Sequence, residues 1–207
     1  MSHLTRSAAI LAGGQATRLG GRDKSALVVD GVTMLDRQLA ALAPLTDDVM
    51  IVGQAATRGP ERAAPHQIEP RRISDIVPGC GPLGGLHAAL IAARGDALAL
   101  VACDMPYLTS AFIAYLLSLA DEADAVVPQS ERGYHPLCAV YTRACLEPVA
   151  ARLADRRLRM RELVDSLRTR VVPVEEIRRF GDPDRLLANV NTPAEYAGLE
   201  ALQSHKL

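Results

Sequence analysis

The chain has 207 residues, 49% of them hydrophobic and 23% charged, and a formal net charge of -1. That length accommodates one sizeable α/β domain over residues 1–207 and requires no second one. The near-neutral balance gives no global attraction to nucleic acid or to an anionic membrane, so any phosphate must be held by local groups. Cys80, Cys103, Cys138 and Cys145 are scattered without a C-x-x-C pair, which argues against a disulfide framework or a zinc knuckle and fits reduced thiols in a cytoplasmic protein. The apolar stretch from Ala8 to Ala12 stops at Gly13-Gly14, too short for the core of a signal peptide. No run approaches the roughly 18 apolar residues that a membrane span needs.

The first apolar run, Ser7 to Ala12, reads as a strand that leads into a Gly-rich segment. Thr33 to Leu42 follows, with Leu35, Leu39 and Leu42 at helical spacing. Val49 to Val52 reads as a buried strand, and Ala55 to Pro65 as a surface loop or irregular crossover. Leu83 to Ala93 then reads as a helix, Ala97 to Ala102 as a strand and Ser110 to Leu119 as a helix. Ala125 to Val127 and Pro136 to Tyr141 are further strands, and Arg143 to Leu167 holds one or two helices with apolar positions at Leu153, Met160, Leu163 and Leu167. Such alternation predicts a mostly parallel sheet with helices on both faces.

The segment from Leu11 to Lys24, LAGGQATRLGGRDK, leaves the end of the first strand and carries four glycines. Glycines there let the backbone come close to a ligand, so that successive amide N–H groups can face a phosphate chain. Arg18 and Lys24 can then neutralise its charge. The spacing matches neither G-x-x-x-x-G-K-[ST] nor G-x-G-x-x-G. Arg occurs twenty-one times but Lys only at Lys24 and Lys206, and a lysine is a compact point charge where an arginine is a planar fork. The competing reading is a Gly-rich turn with solvated basic residues.

Four further segments stand out. Asp104, in Ala102-Cys103-Asp104-Met105-Pro106, follows an apolar strand and falls where open α/β sheets bind ligands. A carboxylate there can hold Mg²⁺ while the ion bridges phosphate oxygens; the plainer reading is a cap or turn residue before Pro106. Asp75 to Leu86, DIVPGCGPLGGL, forms a loop into the second helix, and its glycines and Pro82 suit either a wrapped base or a simple helix entry. His135-Pro136-Leu137 precedes a strand. Asn189-Val190-Asn191-Thr192-Pro193-Ala194-Glu195 reads from Thr192 onward as a capped helix start, which leaves the two amide side chains unexplained. Seven arginines between Arg152 and Arg170 read as a solvated helix face, or second as a surface for a phosphate-rich partner.

Together these segments resemble the molybdenum cofactor guanylyltransferase family, within the nucleotidyltransferases that open with L-A-G-G-x-x-x-R-x-G-x-x-K. The resemblance covers most of the chain and implies a single Rossmann-like nucleotidyltransferase domain. It implies nucleotide binding by Leu11, Ala12, Gly13, Gly14, Lys24, Asp75 and Asp104, catalysis by Arg18, Lys24 and Asp104, and a metal, Mg²⁺, on Asp104. His135, Asn189 and Asn191 would face the pterin substrate. The sequence departs from the pattern at Val52-Gly53-Gln54, where some relatives carry an Asn.

The implied reaction is GMP transfer from GTP to the terminal phosphate of molybdopterin, free or metal-loaded, with release of pyrophosphate. A phosphate monoester is already ionised at neutral pH, so no general base is required. Transient contact with molybdoenzyme maturation proteins would follow, while nucleic acid and membrane are not expected partners. The competing expectations are a cytidylyltransferase for the same pterin, a sugar-phosphate nucleotidyltransferase, and a nucleotide-binding regulator without turnover.

Overall fold

The computed structural model describes residues 4–12, 28–29, 31–53, 69–74, 76 and 79–190. Strand β1 spans Arg6–Leu11, and a small hairpin, β2 (Val28–Val29) with β3 (Val32–Thr33), precedes helix α1 (Met34–Leu42). Thr33 starts α1 as an N-cap, its hydroxyl accepting from the Asp36 N–H. Strands β4 (Val49–Val52) and β5 (Arg71–Ile73), helix α2 (Gly81–Ala92), strand β6 (Ala97–Ala102) and helix α3 (Ser110–Ser118) follow. The remaining elements are β7 (Ala125–Ser130), β8 (Gly133–Tyr134), β9 (Cys138–Thr142), α4 (Leu146–Ala154), α5 (Met160–Ser166), β10 (Thr169–Val172), α6 (Val174–Ile177) and α7 (Pro183–Leu186).

The main sheet runs in the order β10-β7-β9-β6-β1-β4-β5, with β8 paired to β7. Pairings of β1 with β4 and β6, of β4 with β5 and of β10 with β7 are parallel, and β9 lies antiparallel to both β6 and β7. Every residue of β6 is buried, as expected for a central strand covered on both faces. Ala97, Ala99 and Val101 face the layer of α1, α3, α6 and α7, whereas Leu98 and Leu100 face α2, α4 and α5. Helices therefore cover both faces of a mostly parallel sheet, in agreement with the sequence reading.

The low aromatic content is met by close backbone packing. A Cβ at Gly85 of α2 would lie 2.8 Å from a Leu11 methyl, so the helix rests on β1 at a distance that a larger residue would widen. The strand read as Pro136 to Tyr141 occupies Cys138–Thr142, and the helical stretch from Arg143 to Leu167 divides into a 3₁₀ turn, α4 and α5. Its division falls at Arg156, a non-glycine residue at φ 56°.

The amino end of the sheet is closed by a polar network. Asp48, 7% exposed, accepts from Ser7 Oγ at 2.5 Å, Arg71 Nη2 at 2.6 Å and the Arg94 N–H at 2.9 Å. Burial opposes its ionisation, but the hydrogen bonds from Ser7, Arg94 and Arg71 outweigh that and hold its carboxyl below the ordinary value.

Candidate active site

The opposite end of the sheet gathers the loops. After β1 the chain turns through α1 on one face to β4, and after β5 it returns through α2 on the other face to β6, the far neighbour of β1. The connections thus diverge between the carboxyl ends of β1 and β6, and open sheets bind ligands at such a switch point.

Main-chain hydrogen bonds join the loop starts there. The Ala12 N–H donates to the Val52 carbonyl at 2.9 Å, the Cys103 N–H to the Leu11 carbonyl at 3.1 Å, and the Gly53 N–H to the Ile73 carbonyl at 3.0 Å. Leu11, where the Gly-rich segment begins, is therefore bonded directly to the strand end that leads to Asp104, and Ala12 to the end of β4. Gly13, Gly14, Arg18 and Lys24 lie outside the described residues, as do Asp75 and Asn191.

Asp104 is half-buried in the turn after β6. It does not cap the following helix, because Thr109 does so through its hydroxyl. The Val190 N–H donates to the Asp104 carbonyl at 2.8 Å, which brings exposed Asn189 beside the turn from 85 residues further along the sequence. Leu186 and Leu187 anchor that returning segment in the core, and the Arg185 guanidinium stands 4.6 Å from the Tyr107 ring centre. Beneath the turn, buried Gln38 of α1 donates Nε2–H to the Met105 carbonyl at 2.7 Å. Sequence reading passed over Gln38, although a polar residue on the stripe formed by Leu35, Leu39 and Leu42 was the available signal.

His135 lies in the turn between β8 and β9, at the same end of the sheet. Its Nε2 is 2.7 Å from Ser130 Oγ, and its N–H donates to the Pro128 carbonyl at 2.8 Å. Burial holds the imidazole below its ordinary value, and Arg132 pushes in the same direction. The ring is thus neutral at neutral pH and offers hydrogen bonding rather than charge.

The entry to α2 borders this region. Cys80 provides no side-chain cap, and no acidic residue occupies the first turn of α2. The Arg156 guanidinium reaches Cys80 Sγ at 3.7 Å. The arginine run is only partly a solvated face: Arg152 is buried and donates to Glu162 at 2.7 Å, whereas Arg156, Arg157 and Arg159 are exposed.

Among the described residues, no three His, Cys, Asp or Glu side chains gather as a metal group. A single carboxylate nevertheless suits Mg²⁺, which is held by one or two carboxylates and completes its shell with phosphate oxygens and water. No helix among the described residues is long and apolar enough to cross a membrane.

A mostly parallel sheet covered by helices on both faces, with its crossovers diverging between β1 and β6, defines an α/β domain of the doubly wound, ligand-binding class. The model of the MobA-like NTP transferase domain matches residues 8–171. A molybdenum cofactor guanylyltransferase of Desulfosudis oleivorans is 34% identical over 93% of each chain. The molybdopterin-guanine dinucleotide biosynthesis protein A of Archaeoglobus fulgidus superposes with a TM-score of 0.77 at 22% identity, covering 96% of this chain and 99% of that one. A Mycobacterium tuberculosis protein solved in complex with manganese superposes with a TM-score of 0.65 at 19% identity, over 94% and 97% of the two chains. The chain belongs to the MobA-like NTP transferase family, and it is an enzyme, a nucleotidyltransferase.

Proposed function

We propose that this enzyme transfers GMP from GTP to the terminal phosphate of molybdopterin, releasing pyrophosphate and forming the guanine dinucleotide. The observation that carries the reading is the juxtaposition at the switch point. Leu11 and Ala12 open the Gly-rich segment, Asp104 sits in the turn after the neighbouring strand, and Val190 fastens Asn189 beside it. The relative from Desulfosudis oleivorans, matched over 93% of its length, supports the guanine branch.

In this reading Leu11 and Ala12 open the loop whose backbone amides at Gly13 and Gly14 cradle the triphosphate, Arg18 and Lys24 offset its charge, and Asp75 binds the guanine nucleotide. Asp104 holds Mg²⁺; the manganese complex of the M. tuberculosis fold relative supports a divalent ion in this fold. The bound ion would supply a positive centre for the phosphate oxygens. A phosphate oxygen of the pterin substrate forms a bond to the α-phosphorus while the bond from that phosphorus to the bridging oxygen breaks, and the electron pair leaves with pyrophosphate. His135, Asn189 and Asn191 orient the pterin by hydrogen bonds. None has to remove a proton, because the attacking phosphate is already ionised, so positioning and charge neutralisation carry the rate. The enzyme acts in the cytoplasm and hands its product on through transient contact with molybdoenzyme maturation proteins.

Pyrophosphate release tests the reading when the enzyme is mixed with molybdopterin, Mg²⁺ and each common NTP in turn. GTP should be the preferred donor; equal or faster release with CTP would move the assignment to a cytidylyltransferase. Asp104→Asn keeps the side-chain shape and removes the charge, and a loss of a few kcal/mol slows turnover by about a hundredfold. Superimposable Mg²⁺ titrations of the two proteins would remove Asp104 from the metal site.

A further inference from the structure

Gln38 is 2% exposed in the layer between α1 and the sheet, surrounded by the apolar cluster of Leu35, Leu39 and Leu42. Its Nε2–H donates to the Met105 carbonyl, 67 residues away, at 2.7 Å. Its Oε1 is buried and has no donor. A half-satisfied amide in an apolar layer is unfavourable for folding compared with an apolar residue of the same length. Its one bond therefore has to serve something other than packing.

That bond lands on the residue after Asp104. Among the hydrogen bonds that hold the turn are those from Cys103 N–H to the Leu11 carbonyl, from Val190 N–H to the Asp104 carbonyl, and from Gln38 Nε2–H to the Met105 carbonyl. The first two join main chain to main chain and are available to any residue type other than proline. The third depends on the identity of a side chain. It also joins the acidic turn to α1, the helix entered through the β2–β3 hairpin that follows the Gly-rich segment. We infer that Gln38 is a positioning residue, which sets the Asp104 turn relative to the phosphate-binding side of the crevice and so tunes divalent-cation binding and turnover.

This inference rests on the proposed metal role of Asp104. Gln38→Met removes the donor together with the unsatisfied oxygen at nearly constant length, so folding stability should stay close to that of the wild type or rise. Turnover should fall by about tenfold or more, because small displacements of a reacting constellation have effects of that size. Mn²⁺ affinity, measured by electron paramagnetic resonance with a non-hydrolysable GTP analogue, should weaken by about tenfold, a readout independent of catalysis. Gln38→His, which places an Nε2–H at a similar reach, should restore much of both. Gln38→Leu serves as a second apolar variant if Gln38→Met fails to fold.

A lower melting temperature with unchanged Mn²⁺ affinity and unchanged turnover per folded enzyme would make Gln38 a packing residue and overturn the inference. Asp104→Asn, measured alongside, separates the two possible failures. If Asp104→Asn binds Mn²⁺ as tightly as the wild type, the metal reading itself fails and takes the inference with it. If Asp104→Asn loses the ion while Gln38→Met keeps it, the role of Gln38 alone is refuted.

Discussion

Asp48→Asn tests whether the amino end of the sheet is fastened by charge. The carboxylate lies at the start of β4 and accepts from Ser7 on β1, Arg71 on β5 and the Arg94 backbone. An amide in its place offers one acceptor oxygen, so at least one donor loses its partner and the Arg71 guanidinium loses its counter-charge. Breaking a buried ion pair costs about 3–5 kcal/mol. Because Arg71 remains 32% exposed and can turn partly to water, the lower end, about 3 kcal/mol, applies. For a chain of this size that lowers the melting temperature by about 6–12 °C. The pH dependence has a definite sign. The folded carboxyl titrates below its ordinary value of 3.8, so its contribution is fully present above the unfolded value and is lost as pH falls through the folded one. Urea midpoints of both proteins should differ most at neutral pH and converge as pH drops below about 4. Equal midpoints at pH 7, or a gap that persists undiminished in acid, would refute the reasoning.

Two further outcomes are expected. A Cβ at Gly95 would stand 2.5 Å from the Arg6 carbonyl carbon and 2.8 Å from the Ser7 nitrogen, so Gly95→Ala should cost about 1–3 kcal/mol in denaturant titration and leave turnover per folded molecule intact. Lys24→Ala should weaken GTP binding in calorimetry by about ten- to a hundredfold, the equivalent of one charge-assisted hydrogen bond, without a change in melting temperature; an unchanged Kd would take Lys24 out of the site.

The interior of the fold was legible because burial on both faces writes itself as an apolar run. Ala97 to Ala102 matches β6 residue for residue, and Thr33 to Leu42 matches α1 with its cap. Besides the two-residue strands β2, β3 and β8, the strands that escaped were β5 and β10, the two ends of the main sheet. Arg71, Arg72 and Arg170 give them a charged, half-exposed character, which protects an edge from pairing with another chain and hides it from any search for apolar periodicity. In the site, Asp104 was readable as an acidic residue ending a buried strand, and Asn189 as an amide that helix capping left unexplained. The bond from Val190 to Asp104 was not readable, since a main-chain donor carries no side-chain signature, and the same holds for the Leu11 to Cys103 contact.

That difference follows from how the two ends of the sheet are built. At the amino end, side chains fasten one strand to the next, with Ser7, Asp48 and Arg71 using their polar groups on one another. Among the described residues of the carboxyl end, main-chain bonds fasten Ala12 to Val52, Cys103 to Leu11, Gly53 to Ile73 and Val190 to Asp104. Loops fixed through their main chain do not need their side chains to hold their shape, so those positions are available for ligand contact. Gln38 departs from this division: it is a side chain from the packing layer that reaches into the carboxyl end. Substitutions at the amino end should therefore move stability with little effect on turnover, those in the carboxyl-end loops should move turnover with little effect on stability, and Gln38 should behave like the second group although it is buried like the first.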